Sequence, residues 1–242
     1  MNTNSNLYVM VFSVTMCVTV SSALAFLATS LKSKQEAAAE FDRQKNVMMA
    51  AGLIERGDPR MREDLEKLYA DRVKQVVVDT IDGVIVDGEA DALNVAAAEK
   101  DPEQSGRYRS IEQAMTEGGK LDAIILPVSG KGLWSTCYGY LALAGDKNTV
   151  KGIQFYKHGE TPGLGGEIEN ATWTAMWTGK KILNDEGELV SITVKKGKVD
   201  QQKPVEKKHY VDGLAGATIT SNGVSKFVLS DLKALGTYLQ KK

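Results

Sequence analysis

Read for the alternation of apolar and polar positions, the chain falls into one long apolar run, a helical stretch, a series of short β-branched runs and a final amphipathic helix. Residues 7–31 carry no charged side chain. At about 1.5 Å of rise per residue, such a run exceeds the roughly 30 Å hydrocarbon core of a bilayer. It predicts one transmembrane helix behind a short leader at residues 1–6. Ala23-Leu24-Ala25 also has the small-residue spacing of a signal cleavage site, but the leader has no basic residue and the apolar run is too long for that reading. The helix contains no Asp, Glu, Lys, Arg or His, so it offers no ion pathway of its own.

Residues 32–74 read as a juxtamembrane helical region. Phe41, Val47, Met48, Ala51 and Leu53 keep helical spacing up to Gly52 and Gly57, and Met61, Leu65 and Leu68 resume it after Pro59. From residue 75 the period changes. Residues 75–80 and 83–86 are β-branched runs around Asp82-Gly83, a hairpin signal. Residues 87–110 are polar, acidic and alanine-rich, the pattern of a surface insertion or loop. Residues 121–128, 136–143, 149–156, 181–183 and 189–194 predict strands, and residues 168–177 a short helix. Val224, Phe227, Val228, Leu232, Leu235 and Leu239 recur at helical spacing behind Ser221, which predicts Ser221 as the cap of that helix. The fold class is α+β: a transmembrane helix, then a domain over residues 75–242 with an antiparallel β-sheet and packed helices.

Composition narrows the function. With 242 residues, 43% of them hydrophobic, the chain can bury a core without covalent staples. Its 30 Lys and Arg against 31 Asp and Glu give a formal charge of −1, which argues against a nucleic-acid partner. Cys17 lies in the apolar run and Cys137 far along the globular part, so a disulfide between them is geometrically implausible. Neither an iron–sulfur cluster nor a structural zinc assembles from this inventory. The strand-linked Gly-x-Gly-x-x-Gly fingerprint of dinucleotide binding is absent, so nothing here binds a nicotinamide dinucleotide by that route.

Candidate chemistry concentrates in three glycine-rich stretches. In Asp212-Gly213-Leu214-Ala215-Gly216-Ala217-Thr218-Ile219-Thr220-Ser221 the small residues leave the backbone nearly bare around Thr218, about one turn before a helix N-terminus. The free N–H groups and positive dipole end there favour a phosphate. A plain small-residue turn before a helix fits the same letters. The second stretch, His158-Gly159-Glu160-Thr161-Pro162-Gly163-Leu164-Gly165-Gly166, has a Pro-Gly turn in which Gly163 can take a positive φ. Such a loop can lie against a flat ring, or simply join two strands. The third, Gly130-Lys131-Gly132-Leu133-Trp134, offers Trp134 either as the wall of a ring pocket or as a core residue at a strand start. Trp173 and Trp177, four apart on a helix, read as packing residues.

The three stretches resemble the NqrC/RnfG family of FMN-binding domains, found in the sodium-translocating NADH:ubiquinone reductase and in the related Rnf complex. The family's Ser/Thr-Gly-Ala-Thr core implies that Thr218 carries FMN through a phosphoester, installed by a separate flavin transferase that uses FAD. Ala215 stands where that core has a hydroxyl residue, followed by Gly216 and Ala217 as in the family. The family's His-x-Glu-Thr-Pro-Gly-Leu-Gly signature is kept in full from His158 to Gly165. The cofactor-binding set implied is Thr218, Ala215, Gly216, Ala217, Asp212, His158, Glu160, Thr161, Gly163, Leu164, Gly165 and Trp134, with no metal. Asp212 either braces its turn or helps present Thr218 to the transferase. Glu160 either holds its loop or meets the flavin. His158, at a strand end and without a triad partner, reads as a hydrogen-bonded structural group.

The resemblance also implies a setting. The complex oxidises NADH, reduces ubiquinone and exports sodium, and this chain relays single electrons between an iron–sulfur centre and the FMN of NqrB. Its partners are NqrA, NqrB, NqrD, NqrE and NqrF, the transferase during maturation, and membrane lipid. Residues 145–152, 156–160 and 166–170 look more like the NqrC branch than the RnfG branch. Lys32 and Lys34 behind the apolar run favour a cytoplasmic domain by the positive-inside rule, whereas the family sets the domain in the periplasm of the inner membrane. A membrane-anchored scaffold holding a noncovalent ligand is the reading from a different class.

Overall fold

The computed structural model describes residues 5–241. They fall into two compact units divided between Arg43 and Gln44. Positions 1–4 of the expected leader lie outside the described residues. Helix α1 (Asn6–Ala51) contains no glycine or proline, and nothing in the chain stops it at residue 31. In the first unit its apolar side chains, Leu7, Phe12, Leu24 and Phe26 among them, are exposed. The segment is long and apolar enough to cross a membrane. Gly52, at φ 71°, terminates the helix, with Gly52 N–H donating to the Met49 carbonyl at 3.1 Å and Leu53 N–H to that of Met48 at 2.9 Å. That pair of bonds satisfies two carbonyls the helix end would leave open.

The second unit begins earlier than the pattern suggests. Val47, Ala50 and Ala51 from the end of α1 pack on Ala114, Ala123, Ile125 and Ala142, so residues 44–74 are part of the sheet domain rather than a separate juxtamembrane region. The alanines let the helix backbone approach closely: a Cβ on Gly152 would meet the Ala50 carbonyl oxygen at 2.6 Å. Helix α2 (Arg62–Arg72) follows, with Glu63 and Asp64 in its first turn and Arg72 in its last, charges that complement its dipole.

Six antiparallel strands form the sheet in the order β2-β1-β3-β4-β5-β6. They are β1 (Val73–Asp79), β2 (Val84–Val86), β3 (Tyr108–Met115), β4 (Leu121–Lys131), β5 (Thr136–Ala144) and β6 (Val150–Lys157). Gly83, at φ 63°, turns β1 into β2 as the Asp82-Gly83 signal predicts. In β4 the continuous run Ala123 to Leu126 is buried because both faces are covered: Ala123 and Ile125 face α1, while Ile124, Leu126 and Val128 join the main core. That core holds Leu141, Leu143, Phe155, Trp173 and Trp177 together with Val224, Phe227, Val228 and Leu232 of helix α6 (Thr218–Ala234). Leu235 and, in α7 (Gly236–Gln240), Leu239 complete the apolar stripe.

Several elements differ from expectation. Residues 87–110 are not a loop: they contain helix α3 (Ala90–Lys100) and the start of β3, because the alanines among these polar residues have high helix propensity. The helix expected over 168–177 is a 3-10 turn (Gly165–Glu169) followed by the short α4 (Ala171–Ala175), separated where the Asn170 side chain accepts from Thr172 N–H. The strands expected at 181–183 and 189–194 reduce to the single bridges Thr149↔Lys181 and Leu183↔Leu189 and the two-residue β7 (Thr193–Val194). Their backbone groups bond irregularly instead: Lys181 N–H donates to the Lys208 carbonyl, Ile182 N–H to that of Asn148, and the N–H groups of Val190 and Ser191 both to that of Ile182. After helix α5 (Pro204–His209), β8 (Tyr210–Val211) pairs parallel to β7 and leads straight into the Thr218 stretch.

Candidate functional site

Three segments converge at one end of β4, β5 and β6. The first is the β4–β5 connection, closed by Gly132 N–H donating to the Ser135 carbonyl at 2.8 Å. The second follows β6, where Gly163 at φ 75° turns the chain and Gly166 N–H donates to the Thr161 carbonyl at 2.9 Å. The third is the turn before α6, in which Gly216 takes φ 70° and Ala217 N–H reaches the Leu214 carbonyl at 3.2 Å.

Glu160 joins them. Its carboxylate accepts from the backbone N–H groups of Leu133, Trp134 and Ser135 at 3.0, 2.9 and 3.0 Å and from the Thr220 hydroxyl at 2.6 Å. It is 4% exposed. Burial alone would push this carboxyl up, but the Thr220 hydroxyl and the three amides outweigh it and hold the carboxyl at about 2. The surrounding glycines are required by contact: a Cβ on Gly132 would lie 2.8 Å from Glu160 Cδ, and one on Gly165 2.7 Å from Thr220 Oγ1. Beneath the loop, burial first and the Glu160 charge second raise the Cys137 thiol to about 11. His158 accepts the Glu160 N–H at its Nδ1, 3.2 Å away, and its Nε2 stands 3.5 Å from the Glu169 carboxylate.

Thr218 is the first residue of α6, not one turn before it. Ser221 is therefore not the cap: its N–H donates to the Ala217 carbonyl at 2.9 Å as an ordinary helical bond, and its hydroxyl lies 3.5 Å from the Leu214 N–H. The cap position is Ala217, whose side chain can accept nothing. Among the described residues, the N–H groups of Thr218, Ile219 and Thr220 and the Thr218 hydroxyl have no hydrogen-bond partner in the protein. A 17-residue helix thus presents three unpaired N–H groups beside an exposed hydroxyl. This is the donor set a phosphate requires.

The other residues singled out from the sequence fall around this point. Leu164 lies against Gly216, where a Cβ would come within 2.7 Å of Leu164 Cδ2. Trp134 is 67% exposed and Ile219 58%, so Trp134 is not a core residue. Thr161, Gly163 and Ala215 are exposed as well, and Gly165 is buried beneath the loop. Asp212 braces: its Oδ1 accepts from Val199 N–H at 2.8 Å, and its carbonyl accepts from the Trp173 indole at 2.8 Å. Trp173 packs edge-on to Trp177 in the core, as their spacing predicts. With its free hydroxyl, uncapped helix start and exposed apolar rim, the arrangement suits a phosphorylated, flat, largely apolar ligand such as FMN.

The family model described as the FMN-binding domain matches residues 132–233, a range that contains all three segments. The NqrC protein of the Na(+)-translocating NADH-quinone reductase from Pseudomonas aeruginosa is 38% identical over 94% of this chain and 91% of its own length. The corresponding protein of Yersinia pestis is 35% identical over 94% and 90%. The chain belongs to the NqrC family of the Na(+)-translocating NADH-quinone reductase. Crystal structures of NqrC agree: that from Parabacteroides distasonis has a TM-score of 0.69 at 30% identity, covering 88% of this chain and 98% of its own. The one from Shewanella oneidensis has a TM-score of 0.65 at 29% identity, covering 84% and 99%. The fold expected from the sequence, an antiparallel sheet with helices behind a long apolar helix, is the one observed, and its domain matches these NqrC structures.

What the sequence did not disclose is the link between Glu160 and Thr220. No local pattern connects residues 60 apart. A signal was present in the glycines at 130, 132, 165, 216 and 223, each at a point where another segment crosses closely: a Cβ on Gly223 would meet the Lys131 carbonyl at 2.4 Å, and one on Gly130 the Phe227 Cβ at 2.3 Å.

Proposed function

We propose that the chain is the membrane-anchored flavoprotein component of a Na(+)-translocating NADH-quinone reductase, with FMN joined to Thr218 Oγ1 through a phosphoester. The observation that carries this reading is Thr218 itself, an exposed and unengaged hydroxyl at the uncapped start of α6. In the attachment, Oγ1 gives its proton to solvent, an Oγ1–P bond forms and AMP leaves FAD, the exchange being catalysed by a separate flavin transferase. The N–H groups of Thr218, Ile219 and Thr220 receive the phosphate, and Gly216 and Ala217 leave room for it. Leu164 and Trp134 supply apolar contact to the ring, with Thr161 and the Gly163–Gly165 backbone at its polar edge. Bound FMN supplies a centre that takes up and returns electrons one at a time.

A covalent bond prevents exchange of the cofactor, which suits a fixed relay position rather than a substrate site. The anchor formed by the first part of α1 keeps the domain near its partners at high effective concentration. In this reading electrons pass between an iron–sulfur centre in the membrane and the FMN of NqrB. NqrA, NqrB, NqrD, NqrE and NqrF provide NADH oxidation, quinone reduction and sodium export. The anchor sits in the bacterial inner membrane and the FMN domain in the periplasm.

Intact mass of the full chain made together with the transferase tests the attachment. The expected result is an FMN adduct, and flavin fluorescence that survives a denaturing gel, both lost in Thr218→Ala. An unmodified mass in the wild type would sink the reading. For the orientation, a membrane-impermeant thiol reagent should label an engineered surface cysteine of the domain in intact cells; absence of labelling refutes the periplasmic side.

A further inference from the structure

We infer that Glu160 is the positioning residue of this site: its carboxylate clamps the Leu133-Trp134-Ser135 loop to the first turn of α6, and so sets both the presentation of Thr218 and the electrostatic field around it. The inference rests on Thr218 being the flavin attachment point. Three successive backbone N–H groups form a concavity of the kind that binds anions. Here the protein's own carboxylate fills it, with N–H to oxygen distances of 2.9–3.0 Å. The loop amides are therefore closed to a ligand phosphate, which leaves the α6 N-terminus as the place for one.

The fourth bond carries the positioning. Thr220 lies two residues after Thr218 in the same first turn, and its hydroxyl donates to Glu160 Oε2 at 2.6 Å. Holding that hydroxyl fixes the rotation of the turn about the helix axis, and with it the direction of the Thr218 side chain. The clamp has no slack, since Gly132 and Gly165 each approach it within a distance that admits no Cβ. No Lys, Arg or His forms an ion pair with Glu160 among the described residues; the nearby Lys131 Nζ donates to the Trp134 carbonyl instead. The negative charge is met by dipoles alone, so its field extends to the neighbouring site and opposes the arrival of an electron there.

The test uses the full-length chain, coexpressed with a flavin transferase, in wild-type, Glu160→Gln, Thr220→Val and Thr220→Ser forms. The measured quantities are the rate of FMN adduct formation by intact mass and the midpoint potential of the attached flavin. Glu160→Gln should load about tenfold more slowly, the loss expected for charge-assisted hydrogen bonds, and its flavin potential should move positive. Thr220→Val should also load slowly, whereas Thr220→Ser, which keeps the hydroxyl, should load at the wild-type rate. If the wild type takes up no flavin, the Thr218 reading fails and this inference with it. If the wild type loads and a folded Glu160→Gln matches it in rate or in potential, the inference is overturned while the Thr218 reading stands. Should Glu160→Gln not fold, the Thr220 pair decides: slow Val with normal Ser supports the clamp, and normal Val overturns it.

Discussion

Two buried carboxylates, Asp79 and Glu160, solve the same problem in opposite ways. Asp79, 3% exposed at the end of β1, accepts the N–H groups of Ile81 and Asp82 at 3.0 and 3.1 Å and faces the Arg107 guanidinium, whose Nε lies 2.8 Å from Oδ2. Burial pushes it up, and the Arg107 bond and the turn amides bring it below the ordinary carboxylate value. Glu160 is equally buried but has only neutral donors. An ion pair cancels its own field and makes a structural corner, whereas a carboxylate held by dipoles keeps its field and can act on what lies beside it. The hairpin corner at Asp79 is thus inert, and the corner at Glu160 borders the exposed Thr218.

Substitutions can break or sharpen this contrast. The largest effect is expected from Asp79→Ala, which removes three hydrogen bonds and the buried one of the two carboxylates, Asp79 and Asp82, that Arg107 pairs with; a loss of about 3 kcal/mol in denaturant unfolding follows. Glu160→Gln should cost about 2 kcal/mol, because one amide oxygen replaces a carboxylate among four donors. Next comes Gly132→Ala, whose methyl would press on Glu160 Cδ at 2.8 Å and Cys137 Sγ at 2.9 Å. A loss of about 1 to 2 kcal/mol is typical of such overpacking. Asp185→Asn, which breaks the exposed pair with Lys208, should leave the melting temperature unchanged.

Acid titration separates the two corners further. Both carboxyls are depressed in the folded chain, so each stabilises it above its unfolded value and loses that contribution as pH falls. For Glu160 the loss runs from its ordinary 4.5 down to about 2. The wild-type melting temperature should fall through that window, and in Glu160→Gln the fall should be shallower, with the part due to Asp79 remaining below its ordinary 3.8. An unchanged slope in Glu160→Gln would show that the clamp is not what acid breaks.

Most of the fold was legible in periodicity. The apolar run of α1, the stripe from Val224 to Leu239, and β4, β5 and β6 appear where their patterns predict them. β3 did not, because Ser110, Glu112 and Gln113 make it look polar although Ile111, Glu112 and Ala114 are buried. Likewise the alanines of α3 were visible, but the polar and acidic residues around them gave the segment the pattern of a loop. At the site, bare backbone and a positive-φ turn at Gly163 could be read directly from residue type. The cap of α6 could not: Ser221 has the right chemistry, but the helix begins three residues earlier, and leaves uncapped the N–H groups that a serine would have satisfied.

The order of residue types was enough, by itself, to establish an apolar helix of membrane length, an antiparallel sheet and a threonine with room around it, since these depend on neighbours close in the chain. Tertiary structure alone decided that Glu160 would meet Thr220 and the amides of residues 133–135. Those contacts span 25 to 60 positions and exist only because β4, β5 and β6 lie side by side in one sheet with α6 packed on it.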